Sequence, residues 1–395
     1  MGAGAAGVFA ALRAKELNPS LRLLVVDRAA KPLRKVSISG GGRCNVTHDC
    51  DDLDILLGCY PRGGPRLEAL LTRFMPYDTV DWFRARGVSL KTEPDGRMFP
   101  VTDSSQTIID CLMKQAHKLG IELRMKVGVK SVTHRQGQFS LLTGDGQLQA
   151  KRILLATGGA SRATEWLTSF GHRLAEDIPS LFTFCVKHPA IDGLQGLSVP
   201  KVRLRLISDP DFESEGPLLI THWGISGPAV LKLSAFSARE LAKRNYHADL
   251  LCDLLPDYEA ERLEDLLEAQ SSPKQIGKAS PFAEIPKRLW SRLIQTAGLG
   301  AKQTWNRLTP NSTSRLIQTL KGLPLQVVGK GVFKEEFVTS GGVELHEIDI
   351  YTMESRRVPG LFVAGELLNV DGITGGFNFQ NAWASGFVAG EGLAG

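Results

Sequence analysis

Two hydrophobic periods alternate along the first part of the chain. Residues 8–17 (VFAALRAKEL) follow the helical period, and residues 21–27 (LRLLVVD) form a short apolar run that ends on an aspartate. Residues 129–159 predict several short strands, with Gly144-Asp145-Gly146 as a turn. Helix and strand patterns that alternate in this way predict a parallel sheet with crossover helices.

Two further helical stretches lie between these strands. Residues 65–87 predict a helix that is interrupted at Pro76, because proline lacks an N–H and clashes with the preceding turn. Residues 104–120 predict an amphipathic helix, with Asp103 as its N-cap and Gln106 at the capping-box position.

The pattern changes near residue 180. Apolar segments at 181–190, 199–208 and 215–224 predict strands of a separate, mostly antiparallel unit. Residues 256–322 are helical in period, and strands resume at 325–329 and 335–345. The boundaries we expect are 1–178 for the first part of one domain, 179–255 with 323–335 for an inserted β-rich domain, 256–322 for a helical subdomain, and 336–395 for the last part of the first domain.

The chain begins with a glycine pattern that carries chemistry. Gly2, Gly4 and Gly7 fit G-x-G-x-x-G and open the first helix, and Asp27 follows Gly7 by 20 residues. In this arrangement the glycines make a tight turn and bring backbone close to a pyrophosphate, while the acid binds ribose hydroxyls. The pattern predicts a dinucleotide site at the helix N-terminus. Residues 28–48 that follow predict a basic, glycine-rich loop.

The last strand, loop and helix complete this site. Residues 152–159 (RILLATGG) and 360–366 (GLFVAGE) are apolar runs that stop at glycines, so both are expected to end at the cofactor edge of one sheet. Glu366 is placed there to bond a ribityl group or water. Residues 372–382 would bring a second helix N-terminus to the same edge.

Composition narrows the class of protein. The hydrophobic content is 43% and the charged content 23%, values typical of a globular domain, and no apolar run reaches 18 residues. The formal charge of +5 comes from dispersed residues with no basic run, so we expect no membrane partner and consider nucleic acid an unlikely partner. A cytoplasmic location and reduced thiols at the six cysteines are the expectations.

Six motifs in order resemble one known family. GAGAAG, SGGGRCNVTH, GRMFPVTDSS, ATGGAS, THWGISGPA and VAGELLNVDGITGGFNFQNAWASGFVAG are similar to the bacterial FAD-dependent flavoproteins known as NAD(P)/FAD-dependent oxidoreductases or aminoacetone-oxidase-like FAD-binding enzymes. The resemblance covers nearly the whole chain. It implies an α/β fold: a glutathione-reductase-like FAD domain with a doubly wound sheet, and an inserted β-barrel-like domain with a helical subdomain.

The resemblance also implies the cofactor-binding residues. They come from both ends of the chain and from the end of its middle strands, and His48 stands where the family has asparagine. The implied FAD contacts are Gly2, Gly4, Ala5, Gly7, Asp27, Lys35, Ser39, Gly40, Gly41, Arg43, Cys44, Asn45, Val129, Thr157, Gly158, Gly365, Glu366, Gly375, Gly376, Phe377 and Asn378.

The front of the chain departs from the family. Members carry a strand before the glycines, and here only Met1 precedes them. That strand is central in the sheet, so its absence leaves unpaired backbone groups that cost about 1–3 kcal/mol each. We expect a start downstream of the natural one or a truncated chain, and either an open slot in the sheet or a displaced neighbour where the first strand belongs.

Other chemistry has weaker support. Cys44 and Cys50 resemble a redox dithiol but stand one residue too far apart, so Cys44 is expected to be a packed loop residue. Cys44, His48, Cys50 and Cys59 match no zinc spacing, so no metal is expected. His222 in THWGISGPA is the candidate for proton handling, or it braces the turn at Ser226-Gly227-Pro228.

The function expected is that of an FAD-dependent oxidoreductase acting on a small molecule. NAD(P)H is the expected transient donor, without a dedicated domain, because GEGLAG at 390–395 has no helix after it and no other fingerprint exists. The alternatives are an oxygen-using amine-type oxidase and a non-catalytic flavin-bearing binding or regulatory protein that touches RNA.

Overall fold

The chain folds into two compact units. The computed structural model describes residues 1–159, 162–331 and 338–395. Unit 1 comprises Met1–Pro179 and Val338–Gly395, and unit 2 comprises Ser180–Phe337. Both ends of the chain therefore build unit 1, and unit 2 is inserted between them in sequence.

The first part of unit 1 alternates helices with short strands. Its elements are α1 (Ala5–Leu17), β1 (Leu24–Val26), α2 (Arg34–Gly42), β2 (Thr47–His48), α3 (Leu53–Gly58), α4 (Glu68–Leu71), α5 (Pro76–Arg84), β3 (Leu90–Thr92), β4 (Arg97–Pro100), α6 (Ser105–Lys118), β5 (Glu122–Arg124), β6 (Val129–Arg135), β7 (Gln138–Thr143), β8 (Gln147–Ala150), β9 (Ile153–Leu155), α7 (Ala163–Ser169) and β10 (Leu174–Ser180).

Unit 2 and the end of unit 1 follow in sequence. Unit 2 contains β11 (Phe184–Val186), β12 (Ser198–Leu206), β13 (Glu213–Ile220), β14 (Gly224–Ser226), α8 (Pro228–Phe236), α9 (Ala238–Lys243), β15 (Ala248–Asp253), α10 (Ala260–Glu268), α11 (Lys287–Thr296), α12 (Pro310–Lys321) and β16 (Leu323–Lys330). Unit 1 then resumes with β17 (Val338–Val343), β18 (Ile348–Asp349), β19 (Glu354–Ser355), β20 (Leu361–Val363) and α13 (Phe377–Ala394).

The sheet of unit 1 is parallel at its centre and is split there. Strand β1 pairs with β5 in parallel, and β9 pairs with β20 in parallel, with β19 and β18 beyond. In the described chain, Met1 and Gly2 make the backbone bonds across the gap between β1 and β9. The Gly2 N–H donates to Val26 O at 2.9 Å, the Met1 nitrogen donates to Leu154 O at 2.7 Å, and Ala156 N–H donates to Met1 O at 2.9 Å.

An open slot occupies the rest of this gap. It is a cavity of about 1140 Å³, lined by residues 21–26 on one side and 148–154 on the other, with Ala11 and Leu393 among its further walls. Its walls combine apolar residues such as Val25 and Leu154 with charged residues such as Arg152. The slot expected from the sequence is therefore present.

Helices α1 and α13 form the tightest packing in unit 1. Both are rich in alanine and glycine, and α1 buries Phe9 and Leu12. A Cβ atom on Gly386 would lie 2.7 Å from Ala6 O, so the missing side chain sets how closely the two helices approach. The first and last helices of the chain thus hold each other in place.

One helix start differs from the sequence prediction. Asp103 is not the N-cap of α6: Ser104 is, and its Oγ accepts from Gln106 N–H at 3.3 Å. Asp103 has a φ of 52° and directs its carboxylate to Lys91 and to Arg43, 3.6 Å away. Its left-handed backbone is incompatible with the extended N-cap conformation, which explains the error.

The sequence predicted a loop over residues 28–48, but the structure has a short helix in this segment. It contains α2, whose regular helix ends where Ser39 turns to a ψ of 150°. Gly40 and Gly41 then take positive φ values of 56° and 67°. The glycines hid a short helix from the sequence pattern, because glycine disfavours helix interiors.

The described strands of unit 2 form a closed antiparallel barrel in the order β11–β14–β13–β12–β15–β16. Along β12, buried residues such as Val202 and Leu204 alternate with exposed ones and fill the barrel. Helix α12 packs on α10, α11, β15 and β16. The core that these elements share includes Trp290. None of the helices described in either unit is long and apolar enough to cross a membrane.

Candidate functional site

The glycine turn leaves an opening at the start of α1. Gly4 is the N-cap residue and no side chain caps the helix. The N–H groups of Ala5, Ala6 and Gly7 have no acceptor among the described residues. A Cβ atom on Gly7 would overlap the carbonyl oxygen of Gly2, whereas one on Gly4 would meet nothing within 4 Å. Gly7 therefore tightens the turn, and Gly4 leaves backbone open to an anion at a positive helix end.

Asp27 stabilises this turn from the end of β1. Its Oδ2 accepts from Ala3 N–H and its Oδ1 accepts from Ala29 N–H, each at 2.7 Å. An ionised carboxylate has about four lone-pair sites. Each oxygen therefore retains acceptor capacity for a ribose hydroxyl while it holds the backbone.

A small pocket brings four of the expected cofactor contacts together. Gly2, Asp27, Val129 and Thr157 come from separate segments and line one pocket of about 100 Å³. Three further residues line the same pocket: Trp166 of α7, Arg162 at the N-cap of α7, and Arg28, which directly follows Asp27. None of these three residues was predicted from the sequence. Arg28 could have been predicted, because it directly follows the acid expected to bind ribose.

A second group of expected contacts meets around Glu366. The Lys35 Nζ forms an ion pair with Glu366 Oε2. A Cβ atom on Gly158 would lie 3.4 Å from the same oxygen. Beside them, Gly365 N–H donates to the Ser385 Oγ of α13 at 3.0 Å. Helix α2, the end of β9 and the turn after β20 therefore converge here.

The start of α13 is held by the segment before β2. With its amide oriented to satisfy both neighbours, Asn45 accepts from Gly376 N–H and donates to Thr47 O, each at 3.0 Å. A Cβ atom on Gly376 would lie 2.6 Å from Thr47 O. This contact fixes the N-terminus of α13 in unit 1.

His48 and Asn378 brace the glycine loop before α13. The His48 ring stacks on Phe377 with centroids 4.6 Å apart, and its Nδ1 lies 2.9 Å from Gly375 O. The Asn378 side chain accepts from Gly372 N–H and donates to Gly372 O, both at 2.9 Å. The histidine that replaces the family's asparagine therefore has a packing role in the loop.

The remaining residues of the α2 segment differ in how open they are. Ser39 Oγ donates to Val36 O at 3.0 Å, and a Cβ atom on Gly40 would lie 3.0 Å from Phe99. A Cβ atom on Gly41 would meet nothing within 4 Å. Gly41, like Gly4, thus leaves backbone uncovered.

Arg43 and Cys44 are engaged within the protein. The Arg43 guanidinium lies over the Phe99 ring, 4.0 Å from its centroid, and pairs with Glu93 at 2.6 Å. Cys44 is fully buried, and burial raises the pKa of its thiol to about 12. Burial also raises the pKa of Cys50. Neither group favours the thiolate that dithiol chemistry needs.

His222 lies apart from these residues in the chain. It is exposed in the turn between β13 and β14 of unit 2. Gly227 is the N-cap of α8 and Pro228 occupies its first turn, as the sequence predicted. In the three described ranges, no group of three or more His, Cys, Asp or Glu side chains is arranged to hold a metal ion.

Comparison with known proteins places this geometry in a family. The profile of the HI0933-like protein Rossmann domain matches residues 1–392. The chain belongs to the HI0933-like family. The resemblance to FAD-binding flavoproteins inferred from the sequence is thereby confirmed, and so is the α/β Rossmann fold with its small barrel.

Two relatives of the HI0933-like chain are similar over its whole length. The ribosomal RNA dihydrouridine synthase of Escherichia coli K12 is 33% identical over 408 residues, which cover 100% of this chain and 96% of that protein. The 3-dehydro-bile acid delta(4,6)-reductase of Clostridium scindens is 28% identical over 410 residues, covering 100% and 98%.

Solved structures support the same fold. The 3-ketosteroid delta1-dehydrogenase from Sterolibacterium denitrificans has a TM-score of 0.52 at 14% identity, covering 100% of this chain and 98% of that one. This similarity shows the fold alone. The family and the full-length relatives, rather than this fold likeness, make the HI0933-like chain an FAD-dependent oxidoreductase. The free N–H groups at the start of α1 and the remaining acceptor capacity of Asp27 are chemically suited to a pyrophosphate and a ribose, the groups that FAD contains.

Proposed function

We propose that this protein reduces a carbon–carbon double bond conjugated to a carbonyl, with a uridine of ribosomal RNA as the acceptor and NAD(P)H as the donor. The observation that carries the proposal is the 33% identity to the E. coli ribosomal RNA dihydrouridine synthase over essentially both whole chains. A second protein named ribosomal RNA dihydrouridine synthase, from Haemophilus influenzae, is 31% identical over 407 residues.

The chemistry of the relatives' substrates is shared. Dihydrouridine differs from uridine by saturation of the C5=C6 bond, which is conjugated to the C4 carbonyl. A 3-dehydro-bile acid with double bonds at positions 4 and 6 also contains an alkene conjugated to a carbonyl. Bound FAD supplies the two-electron chemistry that carries a hydrogen and its electron pair from NAD(P)H to one alkene carbon. The other alkene carbon takes a proton.

The chain's own residues bind and orient the cofactor in this proposal. The free N–H groups of α1 and the open backbone at Gly4 hold the pyrophosphate, and Asp27 holds the ribose. Lys35, paired with Glu366, and the start of α13 at Phe377 line the flavin side. These groups orient the cofactor without carrying the redox step.

His222 is the proposed proton source for the second carbon. It is exposed, and histidine exchanges protons near neutral pH. His222→Gln is expected to lower kcat by about 10²–10⁴-fold with an unchanged flavin content. His117→Gln, which changes an exposed histidine of α6, is the matched control. Wild-type turnover by His222→Gln would exclude this role.

A ribosomal RNA substrate disagrees with one expectation from the sequence. Nucleic acid was expected to be an unlikely partner, because the sequence contains no basic run. The relatives' names weigh against that expectation. A small cyclic enone is the second candidate acceptor, supported by the 28% identity to the bile acid reductase.

The test is direct reduction of RNA. FAD-loaded protein is incubated anaerobically with unmodified ribosomal RNA transcript and NADH or NADPH, and the digested nucleosides are analysed by mass spectrometry for dihydrouridine. A parallel reaction contains a 3-oxo-4,6-diene steroid. Dihydrouridine formed only with donor and enzyme supports the proposal. Steroid reduction without dihydrouridine would reassign the acceptor, and no oxidation of either donor would refute the reductase proposal.

A further inference from the structure

The charge of unit 2 is divided sharply along the chain. Residues 269–321 contain nine lysines and arginines against one acidic residue, Glu284, a net charge of +8. Residues 180–268 contain nine basic and fourteen acidic residues, a net charge of −5. The whole chain carries +5, so everything outside 269–321 is net −3. The basic charges are therefore concentrated in one segment, and the expectation from the sequence that they are dispersed is wrong.

The spacing of residues in a helix explains why this concentration of basic residues is not evident in the sequence. In α11 the buried Leu289, Trp290, Leu293 and Ile294 are interleaved with exposed basic residues, so no continuous basic run appears in the sequence. The side chains separate on folding, because residues three and four apart share a face of a helix. Eight basic side chains of the segment are exposed: Lys274, Lys278, Lys287, Arg288, Arg292, Lys302, Arg307 and Arg315. We call these eight the basic surface.

Two members of the basic surface have partners on the backbone: Arg288 donates to Gly193 O at 2.7 Å and Arg292 donates to Asp192 O at 3.4 Å. None of its members forms an ion pair with an acidic side chain in the described chain. The ninth basic residue, Lys321, is the exception in the segment and pairs with Asp253 at 2.6 Å. The acidic helix α10 packs against α12, which also packs against α11. Opposite charges are therefore carried by different elements of the helical part.

One small core holds the segments that carry the basic surface. Residues 274–278 run beside 301–305, with Ile276 N–H donating to Gln303 O at 2.9 Å and Trp305 N–H donating to Lys274 O at 3.1 Å. Trp290 of α11 donates its indole N–H to Ile276 O at 2.7 Å and stacks on Trp305 with centroids 6.2 Å apart. The loop pair and α11 are thus packed together.

We propose that the basic surface binds the phosphodiester backbone of structured RNA, the class of substrate in the proposed function, on which this inference rests. Exposed lysines and arginines without acidic partners neutralise phosphates and release counterions. The aromatic residues of the segment, Phe282, Trp290 and Trp305, are buried, so no ring is offered to stack on bases. The contact is therefore to backbone and independent of sequence, which positions the RNA without selecting the target uridine.

The test measures RNA binding apart from catalysis. FAD-loaded protein is titrated into a short fluorescein-labelled RNA duplex by anisotropy, over ~0.05–0.2 M salt. The variants Lys274→Gln/Lys278→Gln and Lys287→Gln/Lys302→Gln each remove two charges, and these side chains make no described hydrogen bond. Lys114→Gln/Lys118→Gln removes two exposed lysines from α6 of unit 1 as the matched control. Flavin content and melting temperature report folding for every variant.

Wild type and the control are expected to bind with the same steep salt dependence. Each basic-surface pair is expected to reduce the slope of log K against log salt by about 1.4–1.8 and to weaken binding about tenfold or more at ~0.1 M salt. Folded variants that bind with wild-type affinity and slope would overturn the proposal. Wild type that binds anionic lipid vesicles but not RNA would also overturn it.

The two proposals fail separately. If RNA binding is salt-dependent and requires the basic surface, but the reaction products contain no dihydrouridine, this inference stands. Uridine of ribosomal RNA is then refuted as the acceptor. Dihydrouridine formed at wild-type rates by both basic-surface variants removes this inference and leaves the proposed function.

Discussion

Alanine substitutions at Gly4 and Gly7 should have different effects: Gly4→Ala should weaken FAD binding, and Gly7→Ala should destabilise the folded apoprotein. A Cβ atom on Gly7 would overlap the carbonyl oxygen of Gly2, and backbone cannot move aside as a flexible side chain can. A Cβ atom on Gly4 meets no protein atom within 4 Å, and the φ of −85° at Gly4 suits alanine. Gly4→Ala therefore leaves the apoprotein nearly intact, and places a methyl group where the pyrophosphate would approach.

The magnitudes follow from these contacts. Forced overlap in a packed site costs about 1–3 kcal/mol. For Gly7→Ala that cost falls on the apoprotein and lowers its Tm by about 2–4 °C for each kcal/mol. For Gly4→Ala the free energy of unfolding of the apoprotein falls by roughly 0.5–1 kcal/mol, because alanine is a poorer N-cap residue than glycine. Its cost falls on the complex and weakens FAD binding by about 5- to 150-fold.

The assay uses apoprotein from which flavin has been removed. Thermal unfolding without FAD reports folding, and FAD titration followed by flavin fluorescence reports affinity. We expect Gly4→Ala to have a nearly normal apoprotein Tm and weak FAD binding, and Gly7→Ala to have a lowered apoprotein Tm. Wild-type FAD affinity in Gly4→Ala would show that the pyrophosphate does not approach the backbone at this residue.

Three other residues give further tests. Asp27→Asn should both lower the Tm and reduce FAD retained on gel filtration, since one of the two backbone N–H groups it accepts loses its acceptor; unchanged retention would count against the ribose assignment. Cys44→Ala should leave the count of fast-reacting thiols unchanged in the native protein, because burial raises the thiol pKa to about 12; the loss of one such thiol would contradict this. Hydrogen bonding to Arg357 lowers the pKa of Glu347 from 4.5 to about 2, so its contribution is present above pH 4.5 and is lost as pH falls through about 2. Glu347→Gln should lower Tm by the equivalent of about 1–2 kcal/mol at neutral pH and flatten the fall in Tm from pH 5 to 2, whereas a wild-type profile would remove Glu347 from acid unfolding.

The sequence could predict the elements whose signals are local. The glycine turn, Asp27 and the helix start at Gly376 each follow from residue types with defined backbone roles, and the structure has them where expected in the chain. The N-cap of α6 could not be chosen in this way, because both Asp103 and Ser104 suit the role. A left-handed backbone and two distant cations decided it.

Long-range arrangement was harder to predict from the sequence. Nothing local indicates that Lys35 pairs with Glu366, since the contact depends on how α2 and the turn after β20 pack. Charge segregation in unit 2 was missed for a related reason. A net charge of +5 averages over segments of opposite sign, and folding rather than sequence order exposes the basic residues of α11.

The slot in unit 1 affects how these molecules behave toward one another. Met1 and Gly2 bond to only part of β1 and β9, so the rest of each strand presents an unpaired edge to the slot. An edge of this kind can pair with an extended segment that reaches it. A neighbouring molecule is such a source, especially while its own strands are unfolded. Concentrated solutions of this chain are therefore expected to form oligomers by strand exchange, and a synthetic apolar strand that occupies the slot should suppress them.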